Sequence, residues 1–412
     1  MRLFRLECKR IFTSRMAIGA MAFSLIVSLV LAFAMINGIK ILDRDFNTLY
    51  KGADALNYAR AIAAPHEGKM SPEKLITMNN FYIDIENEYG DGDIKNVPEN
   101  IYQEKIRPIR DFINVPGQIY KSAETGVTIP PKERTSEMLT YFYKDRDFAL
   151  ANFIRDEYTQ DARKIDVIME INTKVQTPFY YASTLGWIDA VENIGFVILI
   201  LAFAIVLISS SVFSSDYQTG SDAIQRTTKK GLLQIGLSKI GACLLMATVI
   251  YVFCIGMITF IFMYFCGIEG LRASLQVVNP MCFAPMTLGD LLKTLIISGL
   301  LTTLNITAFS LYISSRTKVP VISLIMSVAM ILAPTVIRII SMDNIANWIR
   351  ICLPSGGVGL MGTIYYEIMH YVNILEIGGI TIWSPIMIFV VPIVLIPITI
   401  FITLRSYIKF QN

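Results

Sequence analysis

Side chains able to do chemistry are few in this 412-residue chain, and their spacing argues against most of it. The two histidines, His66 and His370, are isolated, so a metal pair of histidines could form only in an oligomer. The cysteines at 8, 243, 254, 266, 282 and 352 form no C-x-x-C unit and no Cys/His metal spacing, and they read as apolar packing residues. Glu86 with Glu88, or Asp91 with Asp93, has the spacing to hold a hard cation, but a polar turn and surface is the better reading. A nucleotide-binding P-loop needs G-x-x-x-x-G-K-[ST], because the lysine must reach the phosphates and the hydroxyl must hold magnesium. Gly231 to Gly236 is followed by Leu237 and Ser238, so the lysine is missing. The glycine-rich run Ser355-Gly356-Gly357-Val358-Gly359 suits close backbone packing better than phosphate binding. No catalytic residue, bound cofactor or metal is therefore expected on this chain.

The elements that would hold any site are membrane helices. The chain is 54% hydrophobic and 17% charged, against about 25% charged in soluble domains. Its apolar residues gather in six runs, 16–36, 191–213, 240–266, 288–313, 320–340 and 383–404. Each is long enough to cross a hydrocarbon core of about 30 Å as a helix, the form that satisfies its own backbone in lipid. The fold class expected is all-α, a polytopic membrane protein with six transmembrane helices and a mainly helical extracytoplasmic domain over 37–190. Lysine and arginine are unevenly placed. Arg2, Arg5, Lys9, Arg10, Arg15, Arg226, Lys229, Lys230, Lys239, Arg316, Lys318, Arg405 and Lys409 fall on one side, and only Arg272, Lys293, Arg338 and Arg350 on the other. The positive-inside rule then puts both termini in the cytoplasm of a multi-pass plasma-membrane protein. The first span reads as a retained signal-anchor.

Residues 1–15 alternate basic and bulky apolar side chains, suiting an amphipathic flank at the cytoplasmic surface. The 37–190 segment carries 24 acidic and 19 basic residues and no cysteine, so packing alone must hold it. Ser71-Pro72-Glu73 predicts a helix start. A second helix is expected from Pro98 toward Tyr120, and a third from Thr135 to about Val175 with a break near Asp147. Pro178 to Tyr181 and Gly186-Trp187 read as aromatic anchors at the headgroup layer. Residues 341–382 are too apolar for a solvated loop and predict a re-entrant or interfacial segment. Thr302, Thr303, Asn305 and Thr307 place polar groups in the middle of the fourth span, for helix packing or for lining a pathway.

One polar interruption remains, DYQTGSDAIQRTTKK at 216–230, between the second and third spans. Asp216 is placed to cap a short helix there. The pattern resembles the loop of type-2 ABC transporter permeases, E-x-x-x-G-T, an aliphatic stretch, a T-P-x-S-R turn and a lysine opening the third span. Asp216 stands at the acidic position, Gly220 at the glycine, Ser221 at the threonine, Thr228 at the turn threonine and Lys239 at the lysine. Lys229 replaces the usual proline, Leu232 stands where arginine is common, and Asp222, Gln225 and Arg226 interrupt the aliphatic stretch. The resemblance extends to the basic N-terminal flank and the six spans, the large domain after the first span matching a subset of that family.

The resemblance implies a permease subunit of an ATP-driven transporter, exporting a lipid, drug or peptide-like substrate. ATP and Mg would sit on a separate ABC ATPase subunit, and a second permease chain, identical or different, would complete the pore. Asp216, Gly220, Arg226, Lys229 and Lys230 are the coupling residues it implies, Arg226, Lys229 and Lys230 being equally able to meet lipid phosphates. The competing reading is a membrane sensor or scaffold with an extracytoplasmic ligand-binding domain.

Overall fold

The computed structural model describes residues 2–121, 126–227, 231–341, 343–359 and 364–409. Six of its helices are long and apolar enough to cross a membrane, and the protein is an all-α, multi-pass membrane protein. Helix α1 (Arg2–Phe12) precedes the first span, α2 (Arg15–Gly38), whose start is capped by Ser14 accepting from the Ala17 N–H at 3.1 Å. The buried face of α2 is a stripe of small residues, Ala17, Ala20, Ser24, Ser28 and Ala32, which lets its backbone approach the neighbouring helices.

The insertion domain follows. It begins with strands β1 (Lys40–Leu42) and β2 (Thr48–Lys51), which pair as a hairpin, and α3 (Ala53–Ala63). Strand β3 (Gly68–Lys69) pairs with β4 (Tyr180–Tyr181), closing the start of the domain onto its end. Between them lie α4 (Pro72–Gly90), α5 (Glu99–Ile101), α6 (Arg110–Ile119), α7 (Ser136–Thr140), α8 (Phe142–Glu157) and α9 (Ala162–Asn172). The Ser71 cap at α4 is present, its hydroxyl accepting from the Lys74 N–H at 3.3 Å. Residues 99–119 run on without a gap through a π turn and a 3-10 turn, the latter taking up Pro108. The predicted third helix breaks at Tyr141 and again at 158–161, but not at Asp147, which lies within α8.

Phe112, Leu139, Phe142, Phe179 and Tyr181 form the centre of the domain, where the Phe142 and Tyr143 rings meet Phe179 edge-on at 6.2 and 4.9 Å. Arg146, buried in α8, latches the domain to the bundle. Its Nε donates to the Pro280 carbonyl at 2.8 Å and its Nη2 to the Cys282 carbonyl at 2.6 Å.

His66, after α3, faces Phe112, and the Lys74 ammonium donates to its carbonyl at 2.5 Å. Burial, and then the Lys74 charge, lower the His66 pKa below its ordinary 6.5. The folded domain therefore binds this proton less readily than the unfolded chain. The resulting stability is full above pH 6.5 and declines as the pH falls below it, toward the folded-state value. Thermal unfolding of the full chain is expected at a lower temperature at pH 5.5 than at pH 7.5, with the difference reduced in His66→Gln; an equal pH dependence in that variant rules the assignment out.

The remaining spans are α10 (Trp187–Ser209), α13 (Gly231–Cys266), α15 (Leu288–Arg316), α16 (Pro320–Ile340) and α19 (Ser384–Lys409). Short helices α11 (Ser214–Thr219) and α12 (Ser221–Arg226) lie between α10 and α13 in the chain, and α14 (Leu275–Val278) precedes α15. The α13 helix begins at Gly231, so residues 231–239, expected in the loop, are helical. Span α10 is at the centre of the bundle, most of its side chains from Trp187 to Ser209 being buried. Gly299 of α15 makes that packing feasible, since a Cβ there would lie 2.5 Å from Ile198 and 2.4 Å from the Tyr251 hydroxyl.

Trp187 does not sit at an interface as expected. It is fully buried, tilted against Phe262, with its indole N–H donating to the Gly267 carbonyl at 2.7 Å. Phe179 is likewise in the domain interior. Both large rings gain more by filling cores than by lining a headgroup layer.

The segment between α16 and α19 re-enters the bundle. Helix α17 (Asn344–Cys352) leads to the turn at 353–358, and α18 (Ile364–Met369) to a hairpin of β5 (Ile374–Ile377) and β6 (Ile380–Trp383). The turn reaches Thr302, about 21 Å along α15 from its start at about 1.5 Å per residue. Non-helical backbone at that depth needs protein around it, and it has it. The Asn305 amide donates to the Pro354 carbonyl at 3.1 Å, and the Ser355 hydroxyl to the Met330 carbonyl.

Candidate functional site

The polar interruption folds as two short helices, and its acidic residue points inward. Asp216 is 5% exposed and Lys239, at the third turn of α13, is fully buried. Their side chains form an ion pair, and the other carboxylate oxygen of Asp216 takes the Arg10 guanidinium of α1 at 3.0 Å. Gln225 of α12 completes the node. Its side-chain oxygen accepts from Lys239 Nζ and from the Tyr407 hydroxyl of α19, each at 3.0 Å. Lys239 Nζ also stands 5.4 Å above both the Phe213 and Tyr407 rings, a cation–π arrangement in a desolvated place.

Asp216 was expected to cap a helix. It lies instead inside the first turn of α11, whose cap position is Phe213, and its carboxylate is spent on Lys239 and Arg10. A buried carboxylate gains more from a full ammonium charge than from a backbone N–H.

The bend entering α11 is pinned to α15. The N–H groups of Phe213 and Ser214 both donate to the Ser314 hydroxyl at 3.1 Å, and the Tyr217 hydroxyl donates to the Ser315 carbonyl at 3.2 Å. Gly220 ends α11 and starts α12 at φ 72°, a left-handed conformation that favours glycine. Asp222, one of the departures from the aliphatic stretch, is buried. Thr228, Lys229 and Lys230 lie outside the described residues, and Arg226 is the last residue of α12.

What α11 and α12 present outward is Gln218, Thr219, Gly220, Ala223 and Ile224, the isoleucine being 76% exposed. Beside them α1 packs along α13, with the Phe4 ring against Gly241 and Ile11 buried, while Arg2, Arg5 and Lys9 stay exposed. Of the sequence candidates, the fold thus joins Asp216 to Lys239 and sets Gly220 at the hinge. Arg10 and Tyr407 complete the node, but neither was singled out for it, and Ile224 was not singled out either. An apolar residue inside an otherwise polar loop was the available signal for Ile224.

Thr302, Thr303, Asn305 and Thr307 are buried in α15. Thr302 and Thr307 return their hydroxyls to carbonyls four residues back, at 2.9 and 2.7 Å, and Asn305 holds the re-entrant turn. A Cβ on Gly357 would meet the Thr302 hydroxyl at 2.3 Å, so the glycine run of that turn serves close packing.

A second buried charge cluster sits at the other end of the bundle. Glu367 of α18 takes Arg350 at 2.7 Å and Arg338 at 3.3 Å on one oxygen. Its other oxygen accepts from Asn373 at 2.7 Å and Ser384 at 2.6 Å. The hairpin next to it touches the insertion domain through Arg163–Glu376 at 3.2 Å.

Among the described residues no three His, Cys, Asp or Glu side chains converge as a metal set. The Glu86 carboxylate accepts from the Ile94 N–H and that of Asp93 from the Lys95 N–H, so each serves its local turn. No protein-family model matches this chain, and neither a curated protein nor a solved structure does.

Proposed function

We propose that this chain is the membrane-spanning permease subunit of a type-2 ABC transporter, driven by a separate ATPase subunit that binds ATP and Mg. The observation that carries this reading is the Asp216 node. A short helix pair with an exposed apolar residue on its outer face is tied, on its inner face, to four other helices. Pressure on Ile224 reaches α13 through Asp216 and Gln225, α19 through Tyr407, α15 through Ser314 and α1 through Arg10. An inert connecting loop has no need of such an anchored interior. In this arrangement α1, α11, α12 and both termini face the cytoplasm, and the insertion domain lies outside. Two permease chains, the same or different, frame the path, and export of an amphiphilic lipid, drug or peptide-like substrate is the direction.

The test is copurification of the chain with its native partners, followed by Ile224→Asp. A central apolar anchor contributes about 2 kcal/mol to an interface, so the variant should bind the ATPase at least roughly tenfold more weakly while remaining monodisperse. A stable wild-type chain that brings down no ATPase, or an Ile224→Asp variant with unchanged ATPase affinity and coupled transport, overturns the reading.

A further inference from the structure

A cavity of about 590 Å³ opens at the insertion-domain end of the bundle, between the last turns of α13 and the first turns of α15. Its lower wall is apolar, made by Met263, Leu292 and Ile296. Thr259 and Ile296 lie about 10–12 Å below the adjoining helix ends at about 1.5 Å per residue, so the cavity reaches the apolar stretches of both spans. Its rim carries three cations, Lys69 of β3, Arg272 and Lys293, and no carboxylate is among the described residues that line it.

Lys69 and Arg272 are exposed and make no ion pair among the described residues. Lys293 stands 3.3 Å from Asp290, an exposed pair whose carboxylate also serves the Thr287 cap of α15. At the floor, Thr259 is 9% exposed and its hydroxyl has no hydrogen-bond partner among the described residues. A larger cavity of about 660 Å³ beside β1 is differently equipped. Of its cations Arg44 is held by Glu99 and Arg107 by the Leu42 carbonyl, and the carboxylates Asp43 and Asp111 line it beside Lys40 and Arg110.

We infer that the α13–α15 cavity is a binding site for an anionic phospholipid of the adjoining leaflet. The phosphate of the headgroup lies among Lys69, Arg272 and Lys293, and the upper acyl chain lies against Met263, Leu292 and Ile296. The volume is in the range of small-molecule sites. An apolar floor with a cationic rim selects an amphiphile over a free anion, which would leave the floor unfilled. The site rests on the cavity and its charges alone and holds whether or not an ATPase drives this chain.

The experiment reconstitutes the full chain in nanodiscs containing phosphatidylglycerol or only phosphatidylcholine, and counts retained lipid by native mass spectrometry after release into detergent. Juxtamembrane cations contribute about fivefold each to anionic-lipid binding. The K69Q/R272Q/K293Q triple variant should therefore retain phosphatidylglycerol at least roughly tenfold more weakly. K132Q/K144Q/R155Q, with equal charge removed from exposed insertion-domain positions that do not line the cavity, should bind as the parent does. Met263→Trp, which fills the floor without altering charge, should also lower retention, and inorganic phosphate should compete only weakly. Equal retention of the two lipids, equal loss in the two triple variants, an unaffected Met263→Trp, or displacement by inorganic phosphate at lipid-like concentrations would each overturn the assignment.

Discussion

Glu367→Gln is expected to destabilise the protein by about 3–5 kcal/mol, the cost of leaving buried charges without their counter-ion. Arg350 is 1% exposed and Arg338 is 6% exposed, so neither guanidinium can turn to water when the carboxylate goes. Glu367 is the acidic side chain both of them contact, and its second oxygen collects Asn373 and Ser384. The single carboxylate therefore joins α16, α17, α18, the loop before β5 and the first residue of α19. Its loss should loosen the re-entrant segment first and, through Arg163–Glu376, the contact with the insertion domain. Thermal unfolding of the full chain in detergent measures the effect. The double variant R350L/E367L should recover part of it, because well-packed apolar replacements of a buried pair are often neutral. A Glu367→Gln midpoint close to that of the parent would show that water, not protein, solvates these arginines.

Lys239→Met should produce the second large effect, and at the opposite end of the bundle. It leaves Asp216 buried with Arg10 as its cation among the described residues, beside the Gln225 amide at 3.5 Å, and the Arg10 side chain is 43% exposed and so screens poorly as a substitute. A loss of about 3 kcal/mol is expected, near the lower end for a broken buried pair. Asp216→Asn removes the other partner. In a double-mutant cycle the two losses should fall short of additivity by more than about 1 kcal/mol, because the double variant leaves no stranded charge. Additive losses would mean that the pair contributes nothing beyond its packing. Under the proposed function, ATP turnover in the Lys239→Met complex should also lose its dependence on transported substrate, since the helix pair is then free to move without carrying α13 and α19.

Both effects rest on side chains whose roles differ in how legible they were. The position of Lys239 before the third span, and of Asp216 at the head of the polar loop, could be read from the chain, and so could the excess of positive charge near the N-terminus. That these charges meet could not. Arg10 and Asp216 are separated by 206 residues, and Gln225 and Tyr407 by 182. Arg338 and Arg350 looked like ordinary flank charges in the sequence, and Glu367 was not singled out within the re-entrant or interfacial segment. Trp187 gave the opposite error, since an aromatic at a span boundary is compatible with a headgroup layer and with a core.

The chain by itself determined six membrane helices, the start of α16 at Pro320 and the Ser71 cap of α4. These follow from short-range causes, namely the length of an apolar run against the thickness of a bilayer, and the needs of a helix end. Tertiary structure alone decided that Asp216 faces inward, that Ile224 faces outward, that the 353–358 turn reaches the middle of α15, and that three cations ring an apolar cavity. Hydrophobic periodicity sets which face of a helix is buried but not which helix it meets. Partner choice among charges depends on the packing that brings distant segments to within a few ångströms, where a buried charge must find its counterpart or remain uncompensated.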